Sequence, residues 1–324
     1  PDGSRWYFGV SPDKVTMYKS NNALPTGIVA SSTETSNFMN LNVGSYSTYG
    51  GNASVWGFQC AETNHSFMIG MYDKRGTTWD QGVFNEIGGV DFASMKTTNT
   101  GIVNQNYILG GNLQNNGTRM YIADNYGNTL QGCTLSTAYD VTTQGTIQTS
   151  PNISAQEQFV SHVFFEPGGN YVQYVGGSSD KVWRHYVSSA WDVSTMSSSP
   201  SQSSASLGSG VRSFGYAGNG YKLYIADDNV DQLKQYNCST AYRPDTATLS
   251  TSVDLNTPVS YGANILLYDI CVSNNGEKIW VNDNNGDLQM GFKMTTAHNV
   301  STIVPDKWHQ ATTPGGVRGI EFKS

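Results

Sequence analysis

The chain has 324 residues, of which 13% are charged and 35 are glycine, with a formal charge of −7. Residues that build long surface helices are scarce, which excludes a mainly α-helical protein. The acidic balance disfavours binding to the phosphate backbone of nucleic acids, which needs clustered Lys and Arg. No run of 18 apolar residues occurs, so neither a transmembrane helix nor membrane insertion is expected. No signal peptide is visible, and Pro1 in place of Met reads as a processed or excised piece.

Read in chain order, one short pattern returns six times. It is degenerate at Asp2–Gly9, Asn64–Gly70 and Gly169–Gly176, and clear at Asn116–Asp124, Asn219–Asp227 and Asn275–Asp283. Its turn residue falls at Gly3, Asn64, Gly117, Asn170, Gly220 and Gly276, with gaps of 61, 53, 53, 50 and 56 residues. From Gly276 through the end and round to Gly3 is another 51. Gly and Asn enter the left-handed region most cheaply, so a tight β-turn is predicted at each site. A second pattern follows the first by a near-constant distance, at Leu135–Asp140, Val187–Asp192, Cys238–Arg243 and Met294–Asn299.

Each unit of about 50 residues therefore holds four short strands: an apolar strand, a Tyr- or Trp-bearing strand, and two more beyond the Asp/Asn loop and the Ser-Thr-Ala turn. Four-stranded repeats of this length are the signature of β-propeller blades. The predicted fold is all-β, a six-bladed β-propeller forming one domain. Blade 1 takes 317–324 plus 1–53, and blades 2 to 6 take 54–106, 107–158, 159–210, 211–264 and 265–316. Residues 317–324 read as the inner strand of the first blade, which closes the ring and removes open sheet edges. Cys60, Cys133, Cys238 and Cys271 form no CxxC pair and read as buried thiols.

The repeat reads Pro-Asp-Gly-x-x-x-Tyr-Val, then Asp-x-Val-x-x-Tyr, then Leu-Ser-Thr-Ala-Trp-Asp-Val-Ser-Thr. It resembles repeats of tail-fibre, spike and other adhesion-type proteins of bacteriophages. The best local match is Val187–Thr195. The resemblance covers four blades well, the first fairly, and the second poorly. It implies a non-enzymatic protein of the virion surface, outside the cell, that binds a host glycan or receptor and contacts other virion proteins, with a homo-oligomer formed through flanking regions. A structural decoration protein of the particle is the alternative, and a calcium-dependent, lactonase-like propeller hydrolase is a second. The family supplies no catalytic residue.

Candidate site residues follow from position in the repeat. The loops after the second strands are rich in Asp and Asn. Asp227, Asp228 and Asp231 are the best Ca²⁺ candidates, with Asp283 and Asp287 next, because oxygen ligands at alternate positions suit calcium. The bland reading of these loops is hairpin turns. Arg212 and Arg318 start innermost strands near the mouth of the channel, where a guanidinium fork suits a carboxylate or acidic sugar. Tyr126, Trp79 and Trp308 lie off the repeat and are candidates for stacking on a ligand. Tyr7, Tyr121, Tyr174, Tyr224 and Trp280 share one repeat position and read as inter-blade core. Tyr72–Trp79 resembles an Asp-box turn, but it occurs once and lacks the leading Ser.

Overall fold

The computed structural model describes residues 5–10, 14–19, 27–28, 38–40, 54–61, 66–73, 76–84, 90–99, 108–115, 117–124, 127–138, 143–255, 267–273, 275–283 and 288–310, with side chains between 114 and 305. Among the described residues all the long elements are β-strands.

Four sheets are four-stranded antiparallel meanders. They run from Ser54 to Asn99, from Ile108 to Thr149, from Val160 to Ser203 and from Val211 to Asp254. The prediction of six four-stranded blades is corrected at the two remaining sheets. The first, of Arg5–Val10, Lys14–Lys19 and Phe38–Asn40, has three strands, and its expected fourth, 317–324, lies outside the described residues. The last, from Leu267 to Gln310, has five, because Gly27–Ile28 pairs in parallel with Lys307–Trp308. The first strands of successive sheets from 54–61 to 267–272 contact one another in sequence order, as the inner strands of propeller blades do.

The turn chemistry explains why the repeat needs its residues. Gly117, Gly220 and Gly276 have φ of 75°, 89° and 68°. In the fourth repeat the position belongs to Gly169 (φ 75°), one residue before the predicted Asn170. Over Gly169, Gly220 and Gly276 lie the rings of Trp191, Tyr242 and His298, so close that a Cβ would collide with them. The N–H of each ring-bearing residue donates to the carbonyl of its glycine at 2.8–2.9 Å. These residues themselves sit at φ 67°, 56° and 58°. The Ser-Thr-Ala turn is tied by a later threonine, with Ser189 N–H donating to Thr195 Oγ1 and Thr296 N–H to Thr302 Oγ1, both at 3.0 Å. Asp192 and Asn299 then cap the following short 3₁₀ turns by accepting from Ser194 and Ser301.

Tyr121, Tyr174 and Tyr224 are fully buried, as their shared repeat position predicts. Tyr121 donates its hydroxyl to the Trp191 carbonyl of the next blade at 2.7 Å, and the Tyr224 hydroxyl meets His298 Nδ1 of the next blade at 3.2 Å. Buried phenols keep a partner because an unsatisfied hydroxyl is costly. Arg184 binds Glu166 with both Nε (2.5 Å) and Nη2 (2.9 Å), and its guanidinium lies over the Tyr171 ring at 3.3 Å. Gln173 joins this pair to the next blade, donating to the Tyr242 carbonyl and accepting from the Tyr216 hydroxyl. Cys133 and Cys238 are buried free thiols, and burial pushes both up to about 11.

Candidate functional site

The same irregularity occurs near the start of five first strands. The ladder skips one residue between Val55 and Gly57, Val160 and His162, Val211 and Ser213, and Leu267 and Asp269, and it shifts likewise between Ile108 and Gly110. A β-bulge of this kind re-aims the side chains beside it. The residue after the bulge is Gly57, Gly110, His162, Ser213 and Asp269 in turn. Three consecutive blades thus carry polar groups where the two before them carry glycine.

These three groups meet. Ser213 Oγ donates to Asp269 Oδ1 at 2.6 Å, and His162 Nδ1 lies 3.4 Å from the same hydroxyl and 3.9 Å from the same carboxylate oxygen. Asp269 Oδ1 also accepts its neighbour's N–H, from Ile270 at 2.9 Å. Ser213 is 1% exposed, whereas the His162 and Asp269 side chains keep 22% and 20% of their surface. The Phe214 ring stands edge-on to the imidazole at 5.1 Å between centroids. Burial lowers the His162 pKa, and the nearby Asp269 charge only partly restores it. The imidazole is therefore neutral near pH 7. This is not the geometry of a serine nucleophile: the hydroxyl proton is committed to the carboxylate, and one imidazole nitrogen faces both partners. What it provides is a neutral imidazole next to a carboxylate, both largely buried but still reached by solvent.

Of the sequence-predicted residues, Arg212 stands at this site. It occupies the bulge one residue before Ser213, and its guanidinium reaches the backbone of Gly177 in the preceding blade. Its Nε lies 3.6 Å from Asp228 Oδ2. Arg318 and Tyr126 lie outside the described residues. Trp79 and Trp308 fall in the strands Gly76–Phe84 and Ile303–Gln310, whose side chains there are also outside them.

In the acidic loop 227–231 the carboxylates of Asp227 and Asp228 face the protein's own cations. Asp227 is fully buried and bonded to Lys234 Nζ at 2.5 Å and to Ser209 N–H at 3.3 Å. Asp228 faces Arg212, and burial pushes its carboxyl up while Arg212 pulls it back. Asp231 makes a turn, at φ 53°, with its carbonyl accepting from Leu255. The carboxylates are spent on the protein's own cations and turns, and among the described residues no three His, Cys, Asp or Glu converge on a point. Asp283 ends the strand Lys278–Asp283 and Asp287 lies outside the described residues. Asp124 and Asp180 show the same economy. Asp124 accepts from Gly127 N–H and Thr129 Oγ1, and Asp180 accepts from Val211 N–H, which ties one blade to the next.

His162, Ser213 and Asp269 were missed by the sequence reading. Their signal is the aligned triplets Val160-Ser161-His162, Val211-Arg212-Ser213 and Leu267-Tyr268-Asp269, visible once the inner strands are superposed on the repeat.

Known structures share this architecture at low identity. The Cps50 (Swd1) β-propeller domain of Myceliophteria thermophila superposes with a TM-score of 0.52 at 9% identity, covering 87% of this chain and 76% of its own. A Bacteroides fragilis protein assigned as a 6-phosphogluconolactonase gives 0.56 at 10%, covering 99% and 98%. The periplasmic gluconolactonase of Pseudomonas aeruginosa gives 0.52 at 10%, covering 82% and 72%. The fold is a β-propeller with four-stranded antiparallel blades. No family model and no curated protein matches the chain. The expectation of a non-enzymatic virion surface protein is corrected by these neighbours, which include lactonases. Identity this low carries the fold, and a propeller hosts many activities.

Proposed function

We propose that the chain is a hydrolase that opens the cyclic ester of a sugar-derived lactone at the site of His162, Ser213 and Asp269. The observation that carries this reading is the convergence of a neutral imidazole and a carboxylate at one repeated bulge, from the blades on either side of that of Ser213. Lactonases among the fold neighbours support it.

His162 takes a proton from a water as that water's oxygen attacks the lactone carbonyl. The imidazolium so formed is stabilised by Asp269, at 3.9 Å from Nδ1. Collapse of the tetrahedral intermediate breaks the ring C–O bond, and the imidazolium returns its proton to the departing alkoxide. Water is consumed and a hydroxy acid is formed. Ser213 is a positioning residue, holding the Asp269 carboxylate through its 2.6 Å bond. Every step of this scheme is carried by the chain's own residues and the attacking water.

We propose that this site faces a central channel, which requires a closed ring. We assign all six sheets to it as blades, with residues 317–324 completing the first. Deleting 317–324 is then expected to lower the thermal midpoint by more than 5 °C.

The test of function is proton release from D-glucono-1,5-lactone, followed by pH-stat against spontaneous hydrolysis. Wild-type acceleration that is lost in His162→Ala supports the reading. Rates equal to the uncatalysed background refute it.

A further inference from the structure

One residue at the start of an inner strand takes a strained backbone conformation while keeping its side chain exposed. Phe159 has φ of 93°, a genuine outlier for a bulky side chain. Its ring is 55% exposed, so burial does not compensate the strain. The backbone around it is held from both sides: Gln158 N–H donates to Ser178 Oγ at 2.8 Å, and the Phe159 carbonyl accepts from Gly177 N–H at 3.2 Å. The next blade has Gly210 at the equivalent position, its carbonyl accepting from Asp228 N–H at 3.0 Å, and Gly210 does not adopt positive φ. The repeat therefore demands neither the strain nor the phenyl ring. Strain that persists at an exposed position points to function.

Phe159 also stands in the right place. It precedes His162 by three residues, about 10 Å of extended chain. Gly177, which bonds its carbonyl, lies beneath the Arg212 guanidinium. An exposed phenyl ring matches the apolar C–H face of a sugar ring. The carboxylates of Glu157, two residues before Phe159, and of Asp269, beside His162, in a chain of charge −7, disfavour an anion.

We propose that Phe159 is the specificity-determining contact of the channel mouth, stacking on the apolar face of an uncharged sugar-lactone ring. This rests on the hydrolase reading for the identity of the ring. The test is calorimetric binding of D-glucono-1,5-lactam, which is uncharged and lacks the ester. Wild type binds it, Phe159→Ala binds at least tenfold more weakly, Phe159→Trp retains binding, and a 6-phosphorylated lactam binds more weakly than the neutral one. Phe159→Gly raises the thermal midpoint by relieving the strain while weakening binding. With lactone as substrate, Phe159→Ala raises KM more than it lowers kcat. Equal affinity of wild type and Phe159→Ala, no binding by wild type, or preference for the phosphorylated ring overturns the proposal. Lactam binding without lactone turnover overturns the hydrolase reading and leaves the stacking contact standing.

Discussion

His162 is buried enough to resist protonation, and this has two measurable results. Its pKa lies below the ordinary histidine value of about 6.5, as does that of the fully buried His185. Below about pH 6.5 the unfolded chain binds protons that the folded chain refuses, so stability is complete above that pH and falls as the pH drops. Urea titrations from pH 7.5 to 5 are expected to show this fall, and His162→Gln is expected to flatten its slope. A stability that is constant over this range contradicts the assignment. For turnover, the acid limb of the kcat profile is expected below pH 6.5, because the base works only when neutral. Asp269→Asn removes the charge that stabilises the imidazolium and is expected to lower kcat about 100-fold, within the range for acid–base assistance. Ser213→Ala frees the carboxylate without removing it and is expected to cost about tenfold, both read by initial rates.

At the scale of the element, the hairpin glycine and its covering ring make one unit. Gly220 sits at φ 89° with Tyr242 Cδ2 2.5 Å from where a Cβ would stand. Gly220→Ala meets both a backbone and a steric penalty and is expected to destabilise by about 2 kcal/mol or more in chemical denaturation. This unit was legible in the sequence, since the spacing of turn residue, Tyr strand and Ser-Thr-Ala turn reports the blade directly. The fourth repeat misled by one residue because Gly169 and Asn170 adjoin, and either residue type suits a turn. The three-stranded and five-stranded sheets were not legible, because pairing between distant segments such as Gly27–Ile28 and Lys307–Trp308 leaves no periodic trace. The bulge was hidden for another reason. One skipped residue looks like ordinary strand, so the charge of Arg212, in the bulge, is conspicuous in the sequence and Ser213 beside it is not. The Asp loops are ambiguous in sequence because cation ligands and hairpin formers are the same residues; in the structure Asp227 bonds Lys234 and Asp228 faces Arg212.

Across the whole molecule, buried and half-buried polar links join the described blades. Glu166 holds Arg184 in two bonds, and Gln173 carries the link to Tyr216 and Tyr242 of the next blade. Glu166→Ala leaves the Arg184 charge buried and unpaired, which typically costs about 3–5 kcal/mol. A matching fall in unfolding free energy is expected, measured by denaturant titration. Such links hold successive inner strands in register, and that register brings a histidine, a serine and an aspartate from three blades to one point. The central claim is that this point is catalytic. It is tested most directly by the hydrolysis of D-glucono-1,5-lactone by wild type, His162→Ala and Asp269→Asn, all confirmed as folded by circular dichroism. Acceleration by wild type that collapses in both variants is the predicted result. Wild-type rates at the uncatalysed background, or variants as active as wild type, would contradict it.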